Sequence, residues 1–137
     1  MKKKVVIATH GKLAEGFMSA LQLIVGPQEI EAICCYETPD FQMDEEVERI
    51  LGTVGEEDEL IVFTDLLGGS VNNAFMKKLY NRSFHLITNT SLALLMDYLL
   101  SSSSVKELVQ KMDAGEFNAV YCNKLMSLAG NEIEDDL

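Results

Sequence analysis

Long apolar runs are missing from this chain, and their absence removes one class of function at the start. No hydrophobic stretch reaches the roughly 18 to 20 residues needed to cross a bilayer. The basic start, Met1-Lys2-Lys3-Lys4, is followed by an apolar segment too short for a signal-peptide core. A soluble, cytoplasmic protein is therefore expected. Cations are scarce as well: 11 Lys and Arg stand against 22 Asp and Glu, a net charge of -11. A surface of that sign repels nucleic acid and anionic lipid, so neither is an expected direct partner. It attracts a basic protein and speeds the encounter, or it serves solubility alone.

Cysteine is nearly absent. Cys34, Cys35 and Cys122 are odd in number, and two are adjacent, which does not suit a disulfide framework. Neighbouring side chains on a strand point to opposite faces, so Cys34 and Cys35 are not expected to share a metal. They read as small packing residues in a reducing compartment. The familiar phosphate loops, G-x-x-x-x-G-K-[ST] and G-x-G-x-x-G, are missing, and nucleotide binding has no support. No Cys, His and Asp cluster has metal-ligand spacing, and there is no G-x-S-x-G elbow. No cofactor or metal is expected.

What is present is a chain of 137 residues, 47% of them apolar, enough for one compact unit with a real core. Residues 1–125 are expected to form that unit and residues 126–137 a tail, acidic from Asn131 to Leu137 and frayed. Apolar runs bounded by turn residues predict strands over Lys3–Thr9, Glu29–Cys35, Glu59–Thr64, Ser83–Thr88 and Asn118–Cys122. Helical spacing predicts helices over Leu13–Val25, Asp44–Val54, Ser70–Tyr80, Ser91–Leu100 and Val105–Ala114. In the first of these, Leu13, Phe17, Ala20, Leu21 and Ile24 make the apolar stripe. Ser70 and Ser104 read as helix N-caps. Strict alternation of strand and helix predicts an α/β fold: an open, mostly parallel sheet with helices on both faces.

The usual strand order of such a sheet sets the first and third strands side by side and opens a crevice above their carboxyl ends. His10 follows the first of these strands and Asp65 the third. Gly11 comes next after the histidine, and Leu66-Leu67-Gly68-Gly69-Ser70 after the aspartate. A neutral imidazole is a good nucleophile toward phosphorus near pH 7. A carboxylate on its other ring nitrogen fixes the tautomer and steadies the charge that develops on attack. Amides at helix starts supply donors to a phosphoryl group, and glycine lets the backbone approach it. The candidate site is His10 as phosphoryl acceptor and Asp65 as its orienter, with Thr9, Gly11, Gly68, Gly69 and Ser70 around the phosphate. Either motif alone is commonplace; their expected meeting on one rim carries the reading. His85, inside the fourth strand and away from any glycine turn, reads as a packing or surface residue.

The two motifs also carry a resemblance. Val5-Val6-Ile7-Ala8-Thr9-His10-Gly11 with Leu13-Ala14-Glu15-Gly16, and Phe63-Thr64-Asp65-Leu66-Leu67-Gly68-Gly69-Ser70 with Asn73-Ala74, resemble the mannose-family enzyme IIA domains of the bacterial phosphotransferase system. The resemblance runs from Lys3 to about Cys122. It implies phosphoryl transfer from the carrier protein HPr to the histidine matching His10, then to a IIB protein that serves membrane IIC and IID subunits in sugar uptake. It implies that the aspartate matching Asp65 bonds the histidine and that the serine matching Ser70 lies by the phosphate. It also implies a homodimer in which the short edge strand Asn118–Cys122 pairs across to the partner.

Two departures stand out. Val71 occupies a place where the family often has proline, and Ser91-Leu92-Ala93 replaces a later segment containing proline; both bear on the site's outer wall. The chain stops without a IIB domain, so the IIB partner is expected as a separate polypeptide. A phosphorylation-dependent regulatory binding module is the alternative, motivated by the absence of a fused IIB domain and by the altered Ser91-Leu92-Ala93 segment. A receiver domain needs an acidic pair where Thr9-His10-Gly11 stands, and a flavodoxin needs a hydroxyl-rich loop there.

Overall fold

Four of the apolar runs become parallel strands in the computed structural model, which describes residues 2–127. In chain order the elements are β1 (Lys3–His10), α1 (Leu13–Ile24), β2 (Ile30–Cys35), α2 (Met43–Gly52), β3 (Glu59–Thr64) and α3 (Ser70–Met76). There follow β4 (His85–Thr88), α4 (Leu92–Leu100), α5 (Val105–Asp113) and β5 (Val120–Tyr121), and then a helical segment over residues 122–127. The five strands lie in the order β2-β1-β3-β4-β5, with β5 antiparallel to β4. The chain leaves β1 toward β2 and later returns past β1 to β3, so the carboxyl ends of β1 and β3 flank the reversal point of the sheet.

The central strands β1, β3 and β4 are buried on both sides, and their period of two sorts the core into two layers. Val6 and Ala8 of β1, Leu60 and Val62 of β3 and Leu86 of β4 face one layer, closed by Val47, Ile50 and Leu51 of α2 and Val71 and Phe75 of α3. Ile7, Ile61, Phe63 and Ile87 face the other, closed by Leu21 of α1, Leu94 and Leu95 of α4 and Leu108 of α5. Right-handed crossovers require this split, because α1 connects strands in the opposite direction from α2 and α3. The same alternation sends Cys35 into the first layer and Cys34 toward the second. Ser104 caps α5 as expected, its Oγ accepting from Glu107 N–H at 3.1 Å.

Several boundaries differ from the sequence expectation. In α1, Leu21 of the expected stripe is fully buried, but Leu13 and Ile24 are 46% and 57% exposed, and Ala14 is buried in their place. α3 ends at Met76 rather than Tyr80, because Lys78 and Leu79 bond back only three residues, to Phe75 and Met76, in tighter turns. Cys122 belongs to the helical segment and not to the last strand; its thiol lies 3.6 Å from Asn72 Oδ1 in the core. β5 is only two residues long and pairs with β4 of its own chain, Ile87 opposite Tyr121 and Thr88 opposite Val120. Residues 126 and 127 continue the helical segment, and the rest of the expected acidic tail lies outside the described residues. Among the described residues no helix is long and apolar enough to cross a membrane.

Candidate functional site

His10 is the last residue of β1, and Asp65 follows the last residue of β3. Because Ala8 and Thr64 are register partners on these adjacent strands, the two side chains emerge side by side above the sheet. The Asp65 carboxylate accepts three hydrogen bonds. Oδ2 takes the His10 backbone N–H at 3.0 Å and the His10 ring Nδ1 at 2.9 Å, and Oδ1 takes Leu66 N–H at 3.1 Å. Its side chain is 9% exposed and that of His10 is 42% exposed. The acid is thus a fixed acceptor in the wall of the crevice, while the imidazole reaches solvent.

An ionised carboxylate can only accept, so the proton of the neutral imidazole sits on Nδ1. Nε2 is left with its lone pair. The Ser70 hydroxyl stands 3.0 Å from Nε2 and donates to it in this tautomer. The ring is therefore held at both nitrogens by residues 55 and 60 positions away. Ser70 does not cap its helix. Gly69 occupies the N-cap position of α3 with no side-chain cap, and the serine hydroxyl turns toward the histidine. Amides at the first turn of a helix have no carbonyl within the helix to bond, and the dipole adds a partial positive charge there.

The glycines do different work from that expected of them. Gly11 adopts φ +57, and its N–H is committed to Cys35 O at 2.9 Å, so it ties the β1 turn to the end of β2 and is no free donor. Gly69 N–H is likewise taken, by Leu66 O at 3.1 Å. Its lack of a side chain matters more: a Cβ there would stand 3.2 Å from Leu66 O and 3.3 Å from His10 Cε1. Gly68 turns the loop at φ +81, and its carbonyl accepts from Asn73 Nδ2 at 3.1 Å. Thr9 is corrected outright. It is fully buried, and its Oγ1 accepts from Ala14 N–H at 2.8 Å, which stitches the start of α1 to β1 and leaves no hydroxyl for the crevice.

Three more residues support the site; Tyr36 and Asn89 were not singled out by the sequence reading, and Asn73 entered it only as part of the second motif. Tyr36, just beyond β2, stacks on the His10 ring with centroids 5.6 Å apart and planes 25° apart. Asn89, between β4 and α4, accepts Leu67 N–H on Oδ1 at 3.1 Å and so holds the Asp65 loop from a third strand. Asn73 does the same from α3 through Gly68. Asparagine at the end of a strand, where left-handed backbone is tolerated, was the available signal for Asn89; its φ is +58. No local pattern announces Tyr36.

The two departures from the family pattern do not shape the outer wall. Val71 is fully buried in the layer under α2 and α3. Ser91 is the N-cap of α4, its Oγ accepting from Leu94 N–H at 3.1 Å. Cys35, beside His10 in the sheet register, does not compete as a nucleophile: burial, with Glu46 and Asp65 nearby, pushes its thiol up to about 12. Large apolar side chains stay exposed on the rim, Leu66 and Leu67 after Asp65 and Leu13 after His10. Among the described residues no group of His, Cys, Asp and Glu has the geometry of a metal centre.

Comparison with known proteins places this arrangement. No curated protein matches the chain. A Klebsiella pneumoniae structure with the provisional name of a phosphoenolpyruvate-dependent sugar phosphotransferase system permease superposes with a TM-score of 0.77. It is 32% identical, over 92% of this chain and 95% of its own. Component EIIA of the phosphotransferase system from Streptococcus agalactiae is 27% identical, with a TM-score of 0.64, over 82% of this chain and 90% of its own. The mannose/sorbose-specific IIA subunit from Enterococcus faecalis, at 24% identity and a TM-score of 0.65 over 83% and 89%, shares the fold. The family model for the fructose IIA component of the phosphotransferase system, the mannose-type EIIA family, matches residues 4–126. That span covers both rim motifs and nearly all of the sheet, and the chain belongs to this enzyme IIA family of the sugar phosphotransferase system.

Proposed function

We propose that His10 is a phosphoryl carrier, loaded on Nε2 by phosphorylated HPr in the cytoplasm and unloaded onto a histidine of a IIB component that serves membrane IIC and IID subunits. The observation that carries this reading is the line Asp65–His10–Ser70, with hydrogen bonds at both ring nitrogens of a solvent-exposed imidazole. The Nε2 lone pair attacks phosphorus as the P–N bond of the donor phosphohistidine breaks, and the departing ring takes back that electron pair. The Nδ1 proton stays in place. Positive charge grows on the His10 ring as the new bond forms, and the Asp65 carboxylate beside Nδ1 offsets it. The Ser70 hydroxyl gives up Nε2 and turns to a phosphoryl oxygen, where the first-turn amides of α3 add donors. Gly68 and Gly69 keep the backbone close to the ring.

The exposed leucines on the rim give the two carrier proteins an apolar surface to dock on, and the net charge of -11 favours basic faces on them. A homodimer belongs to the same reading, with the short β5 at the sheet edge as its exchange element; light scattering checks it. The regulatory alternative is weakened on one of its grounds, since Ser91 serves as the N-cap of α4. The deciding experiment is incubation with phospho-HPr followed by addition of IIB. Acid-labile, base-stable phosphate on the protein, absent in His10→Ala and discharged by IIB, is the expected result. Loading of the alanine variant refutes His10 as acceptor; loading without discharge to any IIB revives the regulatory module.

A further inference from the structure

The backbone of Tyr36 lies in a region that aromatic residues rarely enter. Its φ is +63, in the left-handed well where Cβ crowds the following carbonyl. The residue before it is anchored, since Cys35 O accepts from Gly11 N–H, so the strain falls at the junction of the two strand ends that flank His10. The consequence is a direction. The left-handed turn lays the Tyr36 ring over the His10 imidazole, near-parallel at 25°. Phe41 backs it from the far side, with ring centroids 5.2 Å apart at 64°. Asp65 and Ser70 fix the imidazole in its own plane, through Nδ1 and Nε2. The stacked phenol lies against a face of the ring, where neither of those hydrogen bonds acts.

We infer that Tyr36 is a positioning residue for phosphoryl transfer: its ring, wedged between Phe41 and His10, holds the imidazole face and stabilises the positive charge it gains when Nε2 bonds phosphorus. The chemistry is that of a cation over an aromatic face, which strengthens as the imidazole takes on charge and is weak while it is neutral. Strain in the backbone and stacking on the nucleophile belong together, because a relaxed turn at this position would aim the side chain elsewhere. This inference rests on the carrier reading of His10.

The test uses Tyr36→Phe, Tyr36→Leu and Tyr36→Gly, each loaded by phospho-HPr and by phosphoramidate, a small donor with no docking surface. Tyr36→Phe is expected to load at the wild-type rate with both donors. Tyr36→Leu and Tyr36→Gly are expected to load about three- to tenfold more slowly with both, the range a cation–aromatic contact allows. The glycine variant relieves the left-handed strain, so its melting temperature is expected to hold or rise while its loading rate falls. A purely structural role for Tyr36 does not give that split. The proton signals of the His10 ring move in Leu and Gly variants and stay in Phe, reporting the lost stack directly.

Wild-type loading of Tyr36→Leu by phosphoramidate overturns the inference, and so does a defect confined to phospho-HPr, which marks a docking contact. Unmoved His10 ring signals overturn it as well. Failure of the wild-type protein to load from either donor defeats the carrier reading, and this inference with it; every other outcome leaves that reading standing.

Discussion

Asp65→Asn separates the two things the carboxylate does. Asparagine keeps the size and can still accept on one oxygen, but it has lost the charge and gained a donor. Asp65 Oδ2 takes two N–H groups at once, from the His10 backbone at 3.0 Å and from Nδ1 at 2.9 Å. If the amide oxygen turns there, its NH2 faces Leu66 N–H at the position of Oδ1, donor against donor. If the amide flips, NH2 faces Nδ1, the ring proton moves to Nε2, and the nucleophilic lone pair is gone. A hydrogen bond to a charged group is worth about 1.5 to 3 kcal/mol, and Asp65 is shielded enough for that range to apply. If energy of that size is gained only as the ring takes on charge, its loss slows loading by about ten- to 150-fold. The tautomer change adds to this, so the expected loss lies at the upper end. Rapid-quench measurement of transfer from phospho-HPr gives the rate. Nitrogen-15 spectra of the His10 ring give the tautomer. Loading within twofold of wild type refutes the reasoning; in a slow variant the position of the ring proton tells which amide orientation is present.

Gly69→Ala is expected to cost transfer more than stability. The new methyl meets Leu66 O and His10 Cε1 at 3.2 and 3.3 Å, so the imidazole must shift from Ser70; quenched-flow loading drops while thermal unfolding moves little. A variant that loads normally removes the close approach from the argument. His85 sets a pH dependence at the other end of β4. Burial holds its ring below the ordinary histidine value of 6.5, against a smaller upward pull from Glu59. The unfolded chain therefore takes up a proton before the folded one does. This contribution to stability is intact above pH 6.5 and is lost as pH falls through the depressed folded value. Urea titrations between pH 7.5 and about 5 are expected to show a shallower decline in His85→Gln than in wild type. Equal slopes would dismiss the role of burial.

The sheet was open to reading from the chain because its strands are apolar on both faces and are punctuated by glycine, proline and charge. The meeting of His10 with Asp65 followed from that, since neighbouring strands in this topology end on one rim. What the sequence misplaced depended on contacts between distant elements. Thr9 looks like a phosphate donor until α1 is in place and Ala14 N–H claims its hydroxyl. Ser70 has the chemistry of a helix cap, yet His10 is the stronger claimant on its oxygen. Leu13 fits a helical stripe, but the helix is rotated so that Ala14 meets the sheet and the leucine stays on the rim. Tyr36 was invisible for a different reason: a left-handed aromatic is disfavoured by its own backbone, and its neighbours in the fold, the tie between Cys35 and Gly11 and the rings of His10 and Phe41, are distant or unmarked in the sequence.

The way Asp65 and Ser70 divide the two ring nitrogens has a bearing on how such a carrier cycles. With the Nδ1 proton parked against a carboxylate and the nucleophilic nitrogen already free of a proton, no base has to be charged before the group arrives and none has to be discharged after it leaves. Filling and emptying then run along one path in either direction, with no hydrogen ion traded with the surrounding water. On the proposed carrier reading, flow through the relay is governed by which neighbour is loaded.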